Sequence, residues 1–364
     1  MQETGLPLSR ANRVRMWGLR RRNGRRAEPL GKLIASCLAG AWRPAPPRLG
    51  ISADDLAEVT PLLLGTGAGG LGWWTVRDSD LSTSPSAFEL RQAYRLHTLQ
   101  AATHERKIAQ AIKLLRSVGV EPLLAKGWAA ARLYPEKGLR PYGDLDLWVR
   151  PEQHAAAAAV ASSPAGQRCV IDLHQRFRHL ERGWDELYGR SRLVPLGDVE
   201  VRILGPEDHL RLLCLHMLFH GIYRPLWLCD VGAAVESAPA DFDWEYCLEG
   251  KPRYSEWVAM AIGLARELLG ARLDGAPAKL RTGSLPHWLP ASVQRQWASR
   301  ERFMETPSMA FCLRHPSLLL KAIRLRWPDP IKATVGVRGP FNDLPRLPFQ
   351  LAECVARTMA FLGR

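Results

Sequence analysis

Two aspartates, Asp144 and Asp146, stand two residues apart in the segment Arg140-Pro141-Tyr142-Gly143-Asp144-Leu145-Asp146-Leu147-Trp148-Val149-Arg150. The alternation of acid and apolar residue predicts a strand with both carboxylates on one face and Leu145 and Leu147 turned into the core. Carboxylates at this spacing can share a pair of divalent cations that grip a nucleoside triphosphate and steady the charge on attacking and leaving oxygens. Mg2+ suits the task because it binds carboxylate and phosphate oxygens and needs few protein ligands. A second extended pattern, Val170-Ile171-Asp172-Leu173-His174, offers a third acid, with Asp172 and His174 on one face and Ile171 and Leu173 on the other. Asp172 is expected at the metal that activates the nucleophile, and His174 on the acceptor or phosphate side. Acids at i and i+2 commonly belong to a solvated strand face, so the conjunction of the two segments carries the reading.

The surrounding pattern says what must hold these side chains. Residues 30–38 are short and apolar, a proline-rich break follows, and Ser52 is a natural N-cap for a helix beginning at Ala53, with Asp54, Asp55 and Glu58 near its positive end. Residues 65–72, rich in glycine, end that unit. The longest helical pattern runs over residues 87–118, with Leu90, Tyr94, Thr98, Ala101, Ile108, Ile112 and Leu115 on one face and Gly119 as its stop. Strands are then expected at 121–125, 144–149, 168–178 and 199–203, and helices at 128–134 and 151–162, the alternation of an α/β or α+β unit. Helical patterns return at 206–219, 226–236, 254–269 and 290–303. Residues 316–327 fit a domain-packing or amphipathic surface helix.

The composition, 46% apolar and 24% charged over 364 residues, is that of a soluble globular protein of two or three units. The expected divisions are a basic head at 1–29, a helical region at 30–118, the chemistry-bearing core at 119–205 and a second helical region at 206–364. No apolar run reaches 18 residues and no secretory signal is expected. The seven scattered cysteines read as reduced thiols of a cytoplasmic protein. Half of the net charge of +14 sits in residues 1–26, where eight arginines face Glu3 alone. A disordered tail or a nucleic-acid-gripping arm would both explain it. The remaining excess is mild, and nucleic acid is not the favoured partner.

Residues 124–150 closely resemble the uncharacterised nucleotidyltransferase family of the DNA polymerase β-like superfamily. The resemblance rests on Lys126-Gly127 after an apolar strand, Ala129-Ala130-Ala131, Tyr134-Pro135, and Arg140-Pro141 ahead of Asp144-Leu145-Asp146. It extends through Asp172-Leu173-His174, Gly205-Pro206-Glu207-Asp208, His216, His220-Gly221 and Leu226-Trp227-Leu228-Cys229-Asp230, covering about residues 52–230. It implies an α+β fold, a small mixed β-sheet nucleotidyltransferase core embedded in a mainly helical protein. It also implies Asp144, Asp146 and Asp172 as catalytic metal ligands for two Mg2+ ions, with Mn2+ able to replace them. Lys126, Gly127 and Arg140 would then meet the nucleotide phosphates. The superfamily places Gly-Ser after its first strand; here Gly127-Trp128 lacks that hydroxyl, which leaves Lys126 to substitute.

The implied activity is transfer of a nucleotide from an NTP to an unidentified acceptor, a small molecule, peptide or protein, with loss of pyrophosphate. RNA or tRNA as acceptor, and a non-catalytic nucleotide-binding relative, are the alternatives. His216 and His220, at i and i+4, lack the glutamate of a zinc motif and are read as packing groups or, with Arg224 and Asp230, as acceptor or nucleotide contacts. Trp73, Trp74, Trp227 and Trp244 are read as core anchors rather than base-stacking platforms.

Overall fold

A computed structural model describes residues 27–177, 180–299, 315 and 319–362. The basic head lies outside the described residues except for its last three, which open helix α1 (Ala27–Leu38). Helix α2 (Ala53–Thr66) begins at the expected cap: the Ser52 hydroxyl accepts from the Asp55 amide while the Asp55 carboxylate accepts from the Ser52 amide. The glycine-rich stretch that was expected to end this unit instead forms another helix, α3 (Gly69–Val76). Its glycines are there for proximity. A Cβ on Gly72 would meet Leu63 and Leu90 at 3.1 Å, and one on Gly70 would stand 2.5 Å from the carbonyl oxygen of Gly138.

Helix α4 (Pro85–Arg116) starts from the Ser84 cap and buries Leu90, Ala101, Ile108, Ile112 and Leu115 along the expected face. Thr98 is half-buried and uses its hydroxyl to hold the carbonyl oxygens of Tyr94 and Lys137. The chain then builds a sheet and its connections: β1 (Leu123–Leu124), α5 (Gly127–Ala131), β2 (Leu145–Trp148), α6 (His154–Ser162), α7 (Pro164–Cys169), β3 (Ile171–His174), α8 (Trp184–Arg190), β4 (Arg192–Leu196) and β5 (Val199–Ile203). The sheet order is β3-β2-β1-β5-β4, parallel where β2 meets β3 and β1 meets β5, antiparallel elsewhere.

Two expectations are corrected here. The strand read over 168–178 is shorter, because the Ser163 cap and Pro164 at the first helical position start α7, and Val170 ends it in the left-handed region. The β4 strand was missed because Pro195 interrupts its pattern; it lies at the sheet edge, where a missing amide is tolerated.

Each face of the sheet has its own core. Leu145, Leu147 and Val149 pack with Ile108, Ile112 and Leu115 of α4 on one face. On the other, Leu123, Trp148 and Phe177 pack with Leu187 of α8 and with Leu212 of the next helix, α9 (Pro206–Phe219). The helical shell continues through α10 (Pro225–Glu236), α11 (Trp244–Leu248), α12 (Pro252–Leu269), α13 (Ala278–Thr282), α14 (Trp288–Ala298), α15 (Leu319–Arg326), α16 (Pro330–Gly336) and α17 (Leu347–Leu362). A single large cluster of buried side chains runs from Leu30 of α1 to Val335 of α16, so helices before and after the sheet share one core. The fold is α+β, with a small mixed sheet inside a mainly helical protein. No helix among the described residues is long and apolar enough to cross a membrane.

Trp227 is buried, and Trp73, Trp74 and Trp244 pack half-buried against the same core. Five cysteines are buried free thiols, with burial pushing Cys37 and Cys247 up to about 12. Cys312 lies outside the described residues.

The tight seat of α3 against residues 138–139 makes Gly70→Ala destabilising by about 1–3 kcal/mol. A lowered thermal midpoint checks this; an unchanged midpoint would mean that the segment leading to β2 retreats freely. His209 on α9 is buried with its Nε2 unpartnered, and burial, with help from Arg140 and Arg132, pushes its pKa down to about 4. The unfolded chain takes up that proton near the ordinary value of 6.5, so stability is complete above this and is lost as pH falls towards about 4. Urea unfolding should therefore show about 2 kcal/mol less stability at pH 5 than at pH 7 from this residue alone. In His209→Gln the difference should shrink by that amount.

Candidate active site

The parallel register of β2 with β3 pairs Leu145 with Ile171, Asp146 with Asp172, Leu147 with Leu173 and Trp148 with His174. Leu145 and Leu147 are buried towards α4, as the alternation requires, so the intervening acids and the ring of His174 share the opposite face. His174 Nε2 lies 2.9 Å from Asp146 Oδ1 and 3.5 Å from Asp172 Oδ2. One ligand atom from each of Asp146, Asp172 and His174 falls within 4.8 Å of the other two. Two carboxylate oxygens and an imidazole nitrogen so placed fit a divalent cation by donor type and by spacing.

Lys126 arrives by a separate route. The antiparallel register sets Leu124 opposite Leu147, so the chain just beyond Leu124 runs past Asp146 and the residue before it. The Lys126 ammonium is 3.3 Å from Asp146 Oδ1 and 5.3 Å from the centre of the Trp148 ring. Its backbone adopts φ 59 and ψ −142, a region L-residues avoid, at the turn from β1 into α5. Burial would raise the Asp146 carboxyl, but the hydrogen bond from His174 and the charge of Lys126 outweigh it and hold the carboxyl below its ordinary value.

The His174 ring is fixed from beneath. It stacks on Trp148 at 4.5 Å between centroids, and Trp148 stacks in turn on Phe177 at 4.4 Å. Asp144 precedes β2 by one residue and is exposed, at the rim of a narrow cleft that Asp146 also lines. Gly127 and Trp128 line it too, where the superfamily would place Gly-Ser. The far wall is α4, through His104 and Lys107, with the Tyr142 ring 5.5 Å from that of His104. Burial, then the charge of Lys107, lowers the pKa of His104 against an opposing pull from Asp144. Neither His104 nor Lys107 was singled out in the sequence. Their signal is position: they flank Ile108 on the buried edge of the long helix, where solvated polar residues would not be expected.

Arg140 opens the segment that leads to β2. Its guanidinium is buried and donates through Nε and Nη2 to Asp230 of α10, and through Nη1 to the Pro141 carbonyl oxygen. Asp230 also accepts from the Tyr134 hydroxyl at 2.8 Å. Burial works against the Arg140 charge, but Asp230 outweighs it and raises the pKa further. These donors face a buried acid, and the pair anchors the segment entering β2. The His216 and His220 rings lie 4.4 Å apart, tilted, and each sits 5.2 Å from the Trp227 ring, His216 edge-on and His220 tilted, with Arg224 over the same indole. They form a separate aromatic group, and none of them lines the cleft.

No curated protein and no solved structure matches the chain. The family described as "Uncharacterised nucleotidyltransferase" matches residues 66–164 and 163–270. These segments span α3 to α12 and include every strand of the sheet. They take in more than half of the 364 residues, and the protein belongs to the uncharacterised nucleotidyltransferase family.

Proposed function

We propose that the protein transfers a nucleoside monophosphate from an NTP to an acceptor hydroxyl, amine or phosphate on a small molecule, peptide or protein. The observation that carries this reading is the convergence of Asp146, Asp172 and Lys126 from two strands and a strained turn onto one point. Asp144 and Asp146 on one side, and Asp146 and Asp172 on the other, would hold two divalent cations, in this reading Mg2+. When bound, those ions neutralise the triphosphate and the departing pyrophosphate. The Asp172 carboxylate takes the acceptor proton as the acceptor atom bonds to the α-phosphorus. The bond from that phosphorus to the bridging oxygen breaks, and the electron pair leaves with pyrophosphate.

Lys126, 3.3 Å from Asp146, meets the phosphate tail in place of the absent serine hydroxyl, and Lys107 adds a second positive charge on the wall of the cleft that Asp144 and Asp146 line. His104, whose pKa is lowered by burial and by Lys107, lines the same cleft. Arg140 acts through the backbone, tying the entry of β2 to α10. Most of the acceleration would come from positioning and fixed charge, as in other phosphoryl transfers.

Transfer of label from an α-phosphate-labelled NTP, with release of pyrophosphate, tests the reading across a panel of acceptors. Asp146→Asn and Asp172→Asn should each reduce it by about two orders of magnitude or more while the circular dichroism spectrum is kept. Full transfer by either variant would end the assignment. Lys126→Ala should raise the KM for NTP more than it lowers kcat, because its contact is made with bound phosphates in ground and transition states alike.

A further inference from the structure

We infer that His174 is itself a metal ligand, and that Asp146, Asp172 and His174 form a cation position that prefers a first-row transition ion such as Mn2+ to Mg2+. The inference rests on the metal-dependent reading above and assigns the ion at one of its two positions. Neighbouring ligands 2.0–2.1 Å from an octahedral ion stand about 3 Å apart. The imidazole nitrogen is 2.9 Å from one carboxylate oxygen and 3.5 Å from the other. A cation entering between them needs small shifts of the carboxylates and no turn of the ring.

The ring is also held for this task. Its stack on Trp148, itself buried and stacked on Phe177, fixes the plane in which Nε2 points at the acids. A histidine serving as a loose counter-charge would need no such seat. Charge agrees as well. Two ionised carboxylates against the Lys126 ammonium leave one negative charge, which a divalent ion turns positive towards an incoming polyphosphate.

Ligand type then selects the ion. Mg2+ seeks oxygen ligands and gives up water reluctantly, whereas imidazole nitrogen favours transition ions, with affinity rising from Mn2+ along the series. Asp144 is not part of the convergent trio, so the position nearest it keeps oxygen ligands alone and suits Mg2+. The sheet would thus offer two unlike positions on either side of Asp146, one oxygen-only and one mixed.

Electron paramagnetic resonance of the full-length protein with Mn2+, without nucleotide, tests the assignment. Pulsed spectra should show a coupling from a directly bound ¹⁴N nucleus, and Mg2+ should displace Mn2+ only at about tenfold or greater excess. In His174→Asp, which replaces the imidazole of the trio with a third carboxylate, the coupling should vanish and the preference should fall to within about threefold. Absence of the coupling in the wild type, or displacement by equal Mg2+, would overturn the inference, and the wild-type spectrum needs no variant to fold. NMP transfer measured in parallel separates the two readings. Mg2+-supported transfer lost in Asp146→Asn, with no ¹⁴N coupling, removes His174 as a ligand and leaves the enzyme standing. A ¹⁴N-coupled ion on a chain that transfers nothing supports His174 and removes the transferase.

Discussion

Two carboxylates directly opposite each other on neighbouring strands repel, and the centre of this protein is organised around that repulsion. The register of β2 with β3 places Asp146 against Asp172, and it cannot slip by one residue without turning Leu145 and Leu147 out of the core. The apolar side of the sheet therefore forces the acids together. His174 and Lys126 offset the repulsion, and both do so from positions that need support of their own. Burial on one face creates the charge problem on the other, and that problem makes the site receptive to cations.

The helical shell acts mainly as a clamp on the segments leading into β2. Arg140, Asp230 and Tyr134 join the entry of the strand to α10 through a buried ion pair with shared hydrogen bonds. Removing one partner of such a pair leaves a buried charge alone, at a cost of about 3–5 kcal/mol, so the entry segment is held far more firmly than a surface loop. Helix α3 presses on the same segment through Gly70, and α4 supplies both the hydrophobic floor of the sheet and the polar wall of the cleft. The long helix is thus a structural beam along most of its length and the wall of the cleft near His104 and Lys107.

Alternation made the acid-bearing strands legible, since Asp144-Leu145-Asp146-Leu147 and Ile171-Asp172-Leu173-His174 admit one facing each. Capping chemistry likewise marked Ser52 at the start of α2. Long-range partners were hidden. Arg140 looks like a phosphate ligand beside the aspartates, and only the fold brings Asp230, ninety residues later, against it. The α3 helix was obscured because glycine weakens helices locally, and its reason here, close approach to Gly138, is tertiary. His104 and Lys107 were hidden for the same cause: helical spacing says which residues share a face, but not that a strand will end there.

The backbone of Lys126 carries a further consequence. A side chain with Cβ at φ 59 and ψ −142 is strained by about 1–3 kcal/mol, and glycine would sit there at ease. A chain shaped by endurance alone would hold glycine at this turn, and the sturdier molecule would lack the ammonium beside Asp146. Strain and ammonium thus come as a pair at residue 126, and relieving the one gives up the other.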